Sequence, residues 1–145
     1  MTVIETASEG ETEQAGRALA PRLRAGDVVL LEGTLGAGKT AFVRGLATGL
    51  GLSPDAVSSP TFTIVQEYRG PVLLQHVDLY RLSPAEVDDL ALEDLMEHSV
   101  LAVEWPDRWR RAPSDAILVT IAHEGGDHRR ITIDAIPPGS SALPS

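Results

Sequence analysis

The stretch GTLGAGKT occupies residues Gly33 to Thr40 and has the pattern G-x-x-x-x-G-K-[ST]. An apolar run from Asp27 to Glu32, which predicts a buried strand, comes directly before it. From Lys39 to Leu50 the apolar residues recur at helical spacing, so a helix is expected to follow. A strand, a glycine-rich turn and a helix in this order are typical of a loop whose backbone N–H groups surround phosphates at a helix N-terminus. The stretch therefore predicts an α/β fold that binds the phosphates of a nucleotide.

Four side chains in and beyond this stretch are suited to a metal–nucleotide complex. The Lys39 ammonium can reach the β- and γ-phosphates, and the Thr40 hydroxyl can be a ligand of Mg²⁺. Asp78 and Glu104 each follow an apolar run that predicts a strand, and ligands bind at the carboxyl ends of strands in open α/β sheets. Because Mg²⁺ usually needs a carboxylate, we predict that at least one of these acids is functional. The alternative is that each only solvates the end of its strand.

The composition favours one globular domain and excludes several kinds of site. With 145 residues, 43% of them hydrophobic, the chain can bury one core. We expect a single domain over residues 1–136 and a mobile tail from Pro137 to Ser145. No cysteine is present, which excludes disulfides, thiolate zinc sites and cysteine nucleophiles. The net charge of −9 opposes direct nucleic-acid binding, and neither a signal peptide nor a membrane span is predicted, so we expect a cytoplasmic protein.

The remaining elements are predicted from apolar periodicity, caps and turn residues. Ser83, Pro84 and Glu86 form a capping box with a first-turn proline and predict the start of a helix. The other predicted elements are a helix over Glu11 to Leu23 and strands over Thr2 to Thr6, Thr61 to Tyr68, Val72 to Leu79, His98 to Glu104, Ala116 to Ala122 and Arg129 to Ala135.

Four motifs in sequence order carry a specific resemblance. They are GTLGAGKT, SPTF at Ser59 to Phe62, HVDLYRL at His76 to Leu82 and VEWPDRW at Val103 to Trp109. With these motifs the chain resembles the bacterial tRNA threonylcarbamoyladenosine biosynthesis ATPase family, TsaE, also called YjeE. The similarity runs from about Thr12 to Trp109. It departs from the family at Thr34, where family members commonly have Asp, so this chain lacks that carboxylate.

The resemblance implies a P-loop NTPase-like three-layer domain with a mostly parallel central sheet, which binds ATP and Mg²⁺. It implies weak ATP hydrolysis, stimulated by the two other subunits of the bacterial threonylcarbamoyl-transfer complex, with tRNA contacted only indirectly. Thr40 and Glu104 would be the Mg²⁺ ligands, and Asp78 and Glu104 the catalytic acids. By position, the residues that line the triphosphate would be Gly36, Ala37, Gly38, Lys39, Thr40 and Ala41. Thr12 would approach the base, and a switch-like loop at Ser59 to Thr63 would face the γ-phosphate.

Two other functions use the same loop. A small-molecule or nucleoside kinase would transfer the phosphoryl group to a bound hydroxyl, and a nucleotide-gated binding module would use ATP to order the Ser58 to Thr63 loop with little turnover. Guanine nucleotides are disfavoured because neither D-x-x-G nor N-K-x-D occurs in the sequence.

Some polar and aromatic residues allow more than one interpretation. Period-two alternation places His76 on the same side of its strand as Asp78, but a lone His is more often part of the core. Trp105 is expected either to cover the sheet edge or to contact the site. The arginines at 108, 110 and 111 are first interpreted as a solvated face, with a phosphate clamp or a docking patch as alternatives.

Overall fold

The computed structural model describes residues 2–34, 38–52 and 64–134, and within these ranges seven strands form one sheet. The strands are β1 (Thr2–Thr6), β2 (Val28–Glu32), β3 (Val65–Tyr68), β4 (Leu74–Asp78), β5 (Val100–Glu104), β6 (Ile117–His123) and β7 (Arg129–Asp134). The helices are α1 (Glu9–Leu19), α2 (Lys39–Gly49), α3 (Pro84–Asp88) and α4 (Leu92–Met96), with short 3₁₀ turns at Ala20–Arg22 and Pro106–Arg108.

The strand order is β1-β7-β6-β2-β5-β4-β3, and the four strands at its centre run parallel. The outer pairs, β1 with β7, β7 with β6 and β4 with β3, are antiparallel. In register, Glu104 lies opposite Leu31 of β2 on one side and Asp78 of β4 on the other. The carboxyl ends of these three strands therefore meet at one edge of the sheet.

Helices cover both faces of the sheet, because the parallel strands are apolar on both sides. In β2, Val29 and Leu31 join the core cluster under α1 and α2, whereas Val28 joins the second cluster, which also contains residues of α3 and α4. The predicted three-layer α/β fold with a mostly parallel central sheet is confirmed.

Helices α1 and α2 lie in backbone contact because glycines stand where they cross. A Cβ placed on Gly45 would lie 1.8 Å from the carbonyl oxygen of Glu13, and one placed on Gly16 would lie 2.1 Å from the carbonyl oxygen of Phe42. Before α2, Gly38 has φ of +110°, a left-handed conformation that favours glycine. This close approach brings Thr12 of α1 beside Gly38, whose Cβ would lie 3.6 Å from Thr12 Cγ2.

Several boundaries differ from those predicted. Helix α1 begins at Glu9, since the Ser8 side chain accepts a hydrogen bond from the Glu11 N–H, and it ends at Leu19 before the Pro21 turn. The Ser83 capping box is confirmed, but the helix it starts ends at Asp88, and α4 follows after a left-handed Ala91 that the sequence did not indicate. Of the predicted strand Thr61 to Tyr68, Val65–Tyr68 is strand, and residues 61–63 lie outside the described residues. The predicted tail lies outside them as well. In the described part of the chain, no helix has the length and apolarity to cross a bilayer.

Candidate nucleotide-binding site

A cavity of about 320 Å³ opens at the edge where β2, β5 and β4 end. Its lining residues are Ser8, Glu9, Thr12, Gly38, Lys39, Thr40, Ala41, Arg44, Asp78, Glu104, Trp105, Asp127 and Arg129. Eight of the residues singled out from the sequence therefore line one cavity: Thr12, Gly38, Lys39, Thr40, Ala41, Asp78, Glu104 and Trp105. The predicted phosphate contacts Gly36 and Ala37 and the predicted switch-like loop Ser59 to Thr63 lie outside the described residues.

Lys39, which lines this cavity, is buried. Its Nζ donates a hydrogen bond of 2.7 Å to the carbonyl oxygen of Gly33 and lies 3.9 Å from Glu104 Oε1. It also lies 4.2 Å from the centre of the Trp105 ring, within the range of a cation–π contact. Burial lowers the pKa of Lys39, while the negative charges of Glu104 and Asp78 oppose that shift. The ammonium is thus partly desolvated, which strengthens its attraction to an anion that enters the cavity.

Glu104 is 6% exposed and has partners on both carboxylate oxygens. Oε2 lies 2.6 Å from Nε2 of His76, and Oε1 lies on the side of Lys39. His76 is fully buried, as expected for a core histidine, but its ring contacts the site through Glu104. The interpretation of His76 as only a core residue is therefore incomplete.

Asp78 is half-buried beside Glu104, with which it is paired in register across β4 and β5. Its Oδ1 accepts a hydrogen bond of 3.0 Å from the Tyr80 N–H. Burial raises the pKa of the Asp78 carboxyl; the Tyr80 N–H opposes this shift and the charge of Glu104 adds to it. Two carboxylates close together in a partly desolvated place are stabilised by a cation.

The oxygen donors in this cavity fit Mg²⁺ that arrives with a phosphate ligand. Within the described ranges, no group of three or more His, Cys, Asp or Glu side chains could hold a metal ion. The cavity offers two carboxylates and the Thr40 hydroxyl, and Mg²⁺ is typically bound by one or two carboxylates together with substrate phosphates and water.

Other lining residues of the cavity come from parts of the chain that are distant in sequence. Thr12 is buried, and its hydroxyl forms a hydrogen bond of 3.0 Å with the hydroxyl of Thr6. Asp127 and Arg129 reach the cavity from the hairpin of β6 and β7. No sequence pattern pointed to these two residues, because their place depends on the pairing of strands at the end of the described chain.

Trp105 contacts the site, as one of its two interpretations expected. It adopts a left-handed conformation with φ of 60°, and its ring lies 4.8 Å from that of Tyr80 in addition to covering Lys39. Arg108 is not part of a purely solvated face, because its guanidinium donates to the carbonyl oxygens of Tyr80 and Leu82. Arg110 is exposed and forms an ion pair with Asp88, as a solvated arginine can.

A sheet with parallel central strands, the first of which leads through a glycine-rich segment to a helix, defines a P-loop α/β protein. The sequence profile of the family described as "Threonylcarbamoyl adenosine biosynthesis protein TsaE" matches residues 6–131. The chain therefore belongs to the TsaE family, and the resemblance read from its motifs is confirmed.

Individual relatives agree with this assignment. Proteins of Nostoc and Bacillus subtilis, each named tRNA threonylcarbamoyladenosine biosynthesis protein TsaE, are 44% identical over 140 residues and 40% identical over 134 residues. These matches cover 91% and 90% of this chain, and 86% and 84% of the two relatives. The crystal structure of Bacillus subtilis YdiB superposes with a TM-score of 0.77 at 34% identity and covers 93% of this chain and 85% of that one.

Proposed function

We propose that this protein is a Mg²⁺-dependent ATPase that serves as an accessory subunit in threonylcarbamoyl modification of the tRNA adenosine beside the anticodon. The observation that carries the proposal is the pairing of the buried Lys39 ammonium with the Glu104 carboxylate in one cavity at the end of β2 and β5. The relatives' printed name, tRNA threonylcarbamoyladenosine biosynthesis protein, supports the choice of pathway.

In this proposal each residue of the cavity has a distinct part. Lys39 leaves the Gly33 carbonyl and binds the β- and γ-phosphate oxygens, with backbone N–H groups from Gly36 to Ala41 along the phosphate chain and Thr12 near the base. Thr40 and Glu104 hold the Mg²⁺, which neutralises charge on the phosphates when it is bound. Asp78 orients the attacking water by accepting its hydrogen bond.

The partners would be the two other subunits of the threonylcarbamoyl-transfer complex, in the cytoplasm, with tRNA reached only through them. Residues supplied by a partner can raise the rate of phosphoryl transfer by roughly 10³ to 10⁵. We therefore expect slow hydrolysis by the isolated chain and faster hydrolysis in the complex.

The test is release of inorganic phosphate by this protein alone, with the two candidate subunits, and with those subunits plus tRNA. Stimulation by the subunits supports the proposal, and Lys39→Ala should abolish the stimulated release in the same assay. Fast hydrolysis by the protein alone, without a response to either addition, would contradict it. Release that requires a small hydroxyl-bearing acceptor would indicate the kinase instead, and ATP binding without turnover in any mixture would indicate the nucleotide-gated module.

A further inference from the structure

His76 is the buried polar residue that lies directly behind the candidate site. Its side chain is fully buried in β4, and Nε2 lies 2.6 Å from Glu104 Oε2. The other ring nitrogen, Nδ1, is buried with no hydrogen-bond partner among the residues that the structure describes.

A histidine in this position is a poor choice for packing alone. Leu74 and Val77 of the same strand are fully buried and apolar, and an apolar side chain at position 76 would bury no unpartnered nitrogen. Leaving a buried polar atom without a partner is destabilising. Among the residues that the structure describes, the hydrogen bond to Glu104 is the one contact of this ring that a hydrocarbon side chain could not supply.

That bond determines which way the Glu104 carboxylate faces. A carboxylate can only accept, so the proton of the bond belongs to Nε2. This bond directs Oε2 toward His76 of β4, and Oε1 lies on the side of the cavity, 3.9 Å from Lys39 Nζ. The neighbouring acid, Asp78, is held differently, by the backbone N–H of Tyr80. In the described part of the chain, the close hydrogen bond that orients Glu104 comes from His76.

We propose that His76 is a positioning residue that holds the Glu104 carboxylate in the orientation in which Oε1 binds the Mg²⁺ of the nucleotide complex. The inference rests on the proposed function, which makes Glu104 a Mg²⁺ ligand. Residues that orient a metal ligand from behind typically change metal affinity or activity by about 10- to 100-fold when they are removed.

The experiment compares ATP affinity in EDTA with ATP affinity in excess Mg²⁺, by calorimetric titration of the folded full chain. His76→Phe keeps a planar ring and removes the donor. We expect its affinity in EDTA to stay within about twofold of the wild type, and its affinity in Mg²⁺ to fall by about tenfold or more. His76→Gln has an amide nitrogen at a distance from the backbone similar to Nε2, so it should recover most of the loss. Gln75→Leu is the matched control, because Gln75 is a buried polar residue of the same strand whose amide contacts Glu67 and not the site.

The outcomes distinguish a failure of this inference alone from a failure of the proposed function. If His76→Phe does not fold, as judged by circular dichroism, His76→Asn replaces it, since its shorter amide should not reach Glu104. If a folded Phe or Asn variant gains as much ATP affinity from Mg²⁺ as the wild type does, the positioning role is overturned and the ATPase proposal stands. If ATP affinity in Mg²⁺ falls as much in His76→Gln as in His76→Phe, the positioning role is likewise overturned and the ATPase proposal stands. Wild-type protein whose ATP affinity does not respond to Mg²⁺ would overturn both.

Discussion

Lys39 is the residue on which we expect the proposed phosphate binding to depend most directly, and it is the one lysine in the 145-residue sequence. Its ammonium contacts the Gly33 carbonyl, the Trp105 ring and Glu104, so it already lies in the cavity before a ligand arrives. Lys39→Ala should weaken ATP binding about 10- to 100-fold, because a hydrogen bond to a charged group contributes about 1.5–3 kcal/mol. Calorimetric titration measures this loss. Wild-type affinity in a folded variant would contradict the assignment of the phosphate site.

Asp78 should affect stability and function in opposite directions. Burial raises the pKa of its carboxyl, so the folded protein binds this proton more tightly than the unfolded chain does. The contribution of Asp78 to the free energy of unfolding therefore falls as pH rises from below the unfolded pKa of about 3.9 through the folded pKa. Asp78→Asn should raise the melting temperature of the ligand-free protein at pH 7, with a difference that narrows as pH falls toward about 4, and it should impair Mg²⁺-dependent turnover.

Glu86 is the matched control, because the pKa of its carboxyl is shifted in the opposite direction from that of Asp78. Hydrogen bonds from the backbone and side chain of Ser83 lower the pKa of its carboxyl, so its charge stabilises the folded protein above the unfolded pKa and this effect is lost as pH falls through the folded pKa. Glu86→Gln should therefore lower the melting temperature at pH 7. Thermal unfolding at a series of pH values tests both variants, and a lower melting temperature for Asp78→Asn at pH 7 would contradict the environment described for Asp78.

At the scale of elements, the contact between α1 and α2 connects stability to the site. A Cβ on Gly45 would lie 1.8 Å from the Glu13 carbonyl oxygen and 2.9 Å from the Arg17 backbone nitrogen, so the helices would have to move apart. Gly45→Ala should lower the free energy of unfolding by about 1–3 kcal/mol, although alanine favours helices. It should also weaken nucleotide binding, because α1 carries Thr12 and α2 carries Lys39.

Gly10→Ala is the control for this substitution. Gly10 is an exposed residue of α1, and its Cβ would meet no atom closer than Ser8 Oγ at 3.8 Å. The free energy of unfolding of the Gly10→Ala variant should stay unchanged or rise by up to about 1 kcal/mol. Urea denaturation compares the two variants, and equal stabilities would show that the helices do not depend on the glycine contact.

The sequence predicted those features that depend on near neighbours. The P-loop context, the Ser83 capping box and the alternation that places His76 and Asp78 on one side all follow from residues a few positions apart. The hydrogen bond between His76 and Glu104 joins residues 28 positions apart, and it depends on the register of β4 with β5. The same applies to Arg129, whose place beside Gly38 requires β7 to lie on the far side of β6. Local periodicity contains no information about such register, and for this reason these contacts were missed.

At the scale of the whole molecule, the net charge predicts that the protein binds free tRNA weakly. The chain has 12 Lys and Arg residues against 21 Asp and Glu, a net charge of −9. Affinity for nucleic acid depends largely on neutralising phosphates, so we expect binding of free tRNA at physiological salt to be weaker than about 100 μM. Fluorescence anisotropy with labelled tRNA measures it. Low-micromolar binding that falls steeply with added salt would contradict indirect contact and indicate a basic surface of its own.

The pairing of β1 with β7 also has a consequence for the time at which the protein can fold during translation. Glu5 of β1 and its ion-pair partner Arg130 of β7 are 125 residues apart, so at about 5–20 residues per second the first strand is made roughly 6 to 25 s before its partner. Until then, β1 and the outer edge of β6 have no strand to pair with, and unpaired edges recruit strands from other chains. The nascent chain is therefore most prone to aggregate in the interval before β7 leaves the ribosome.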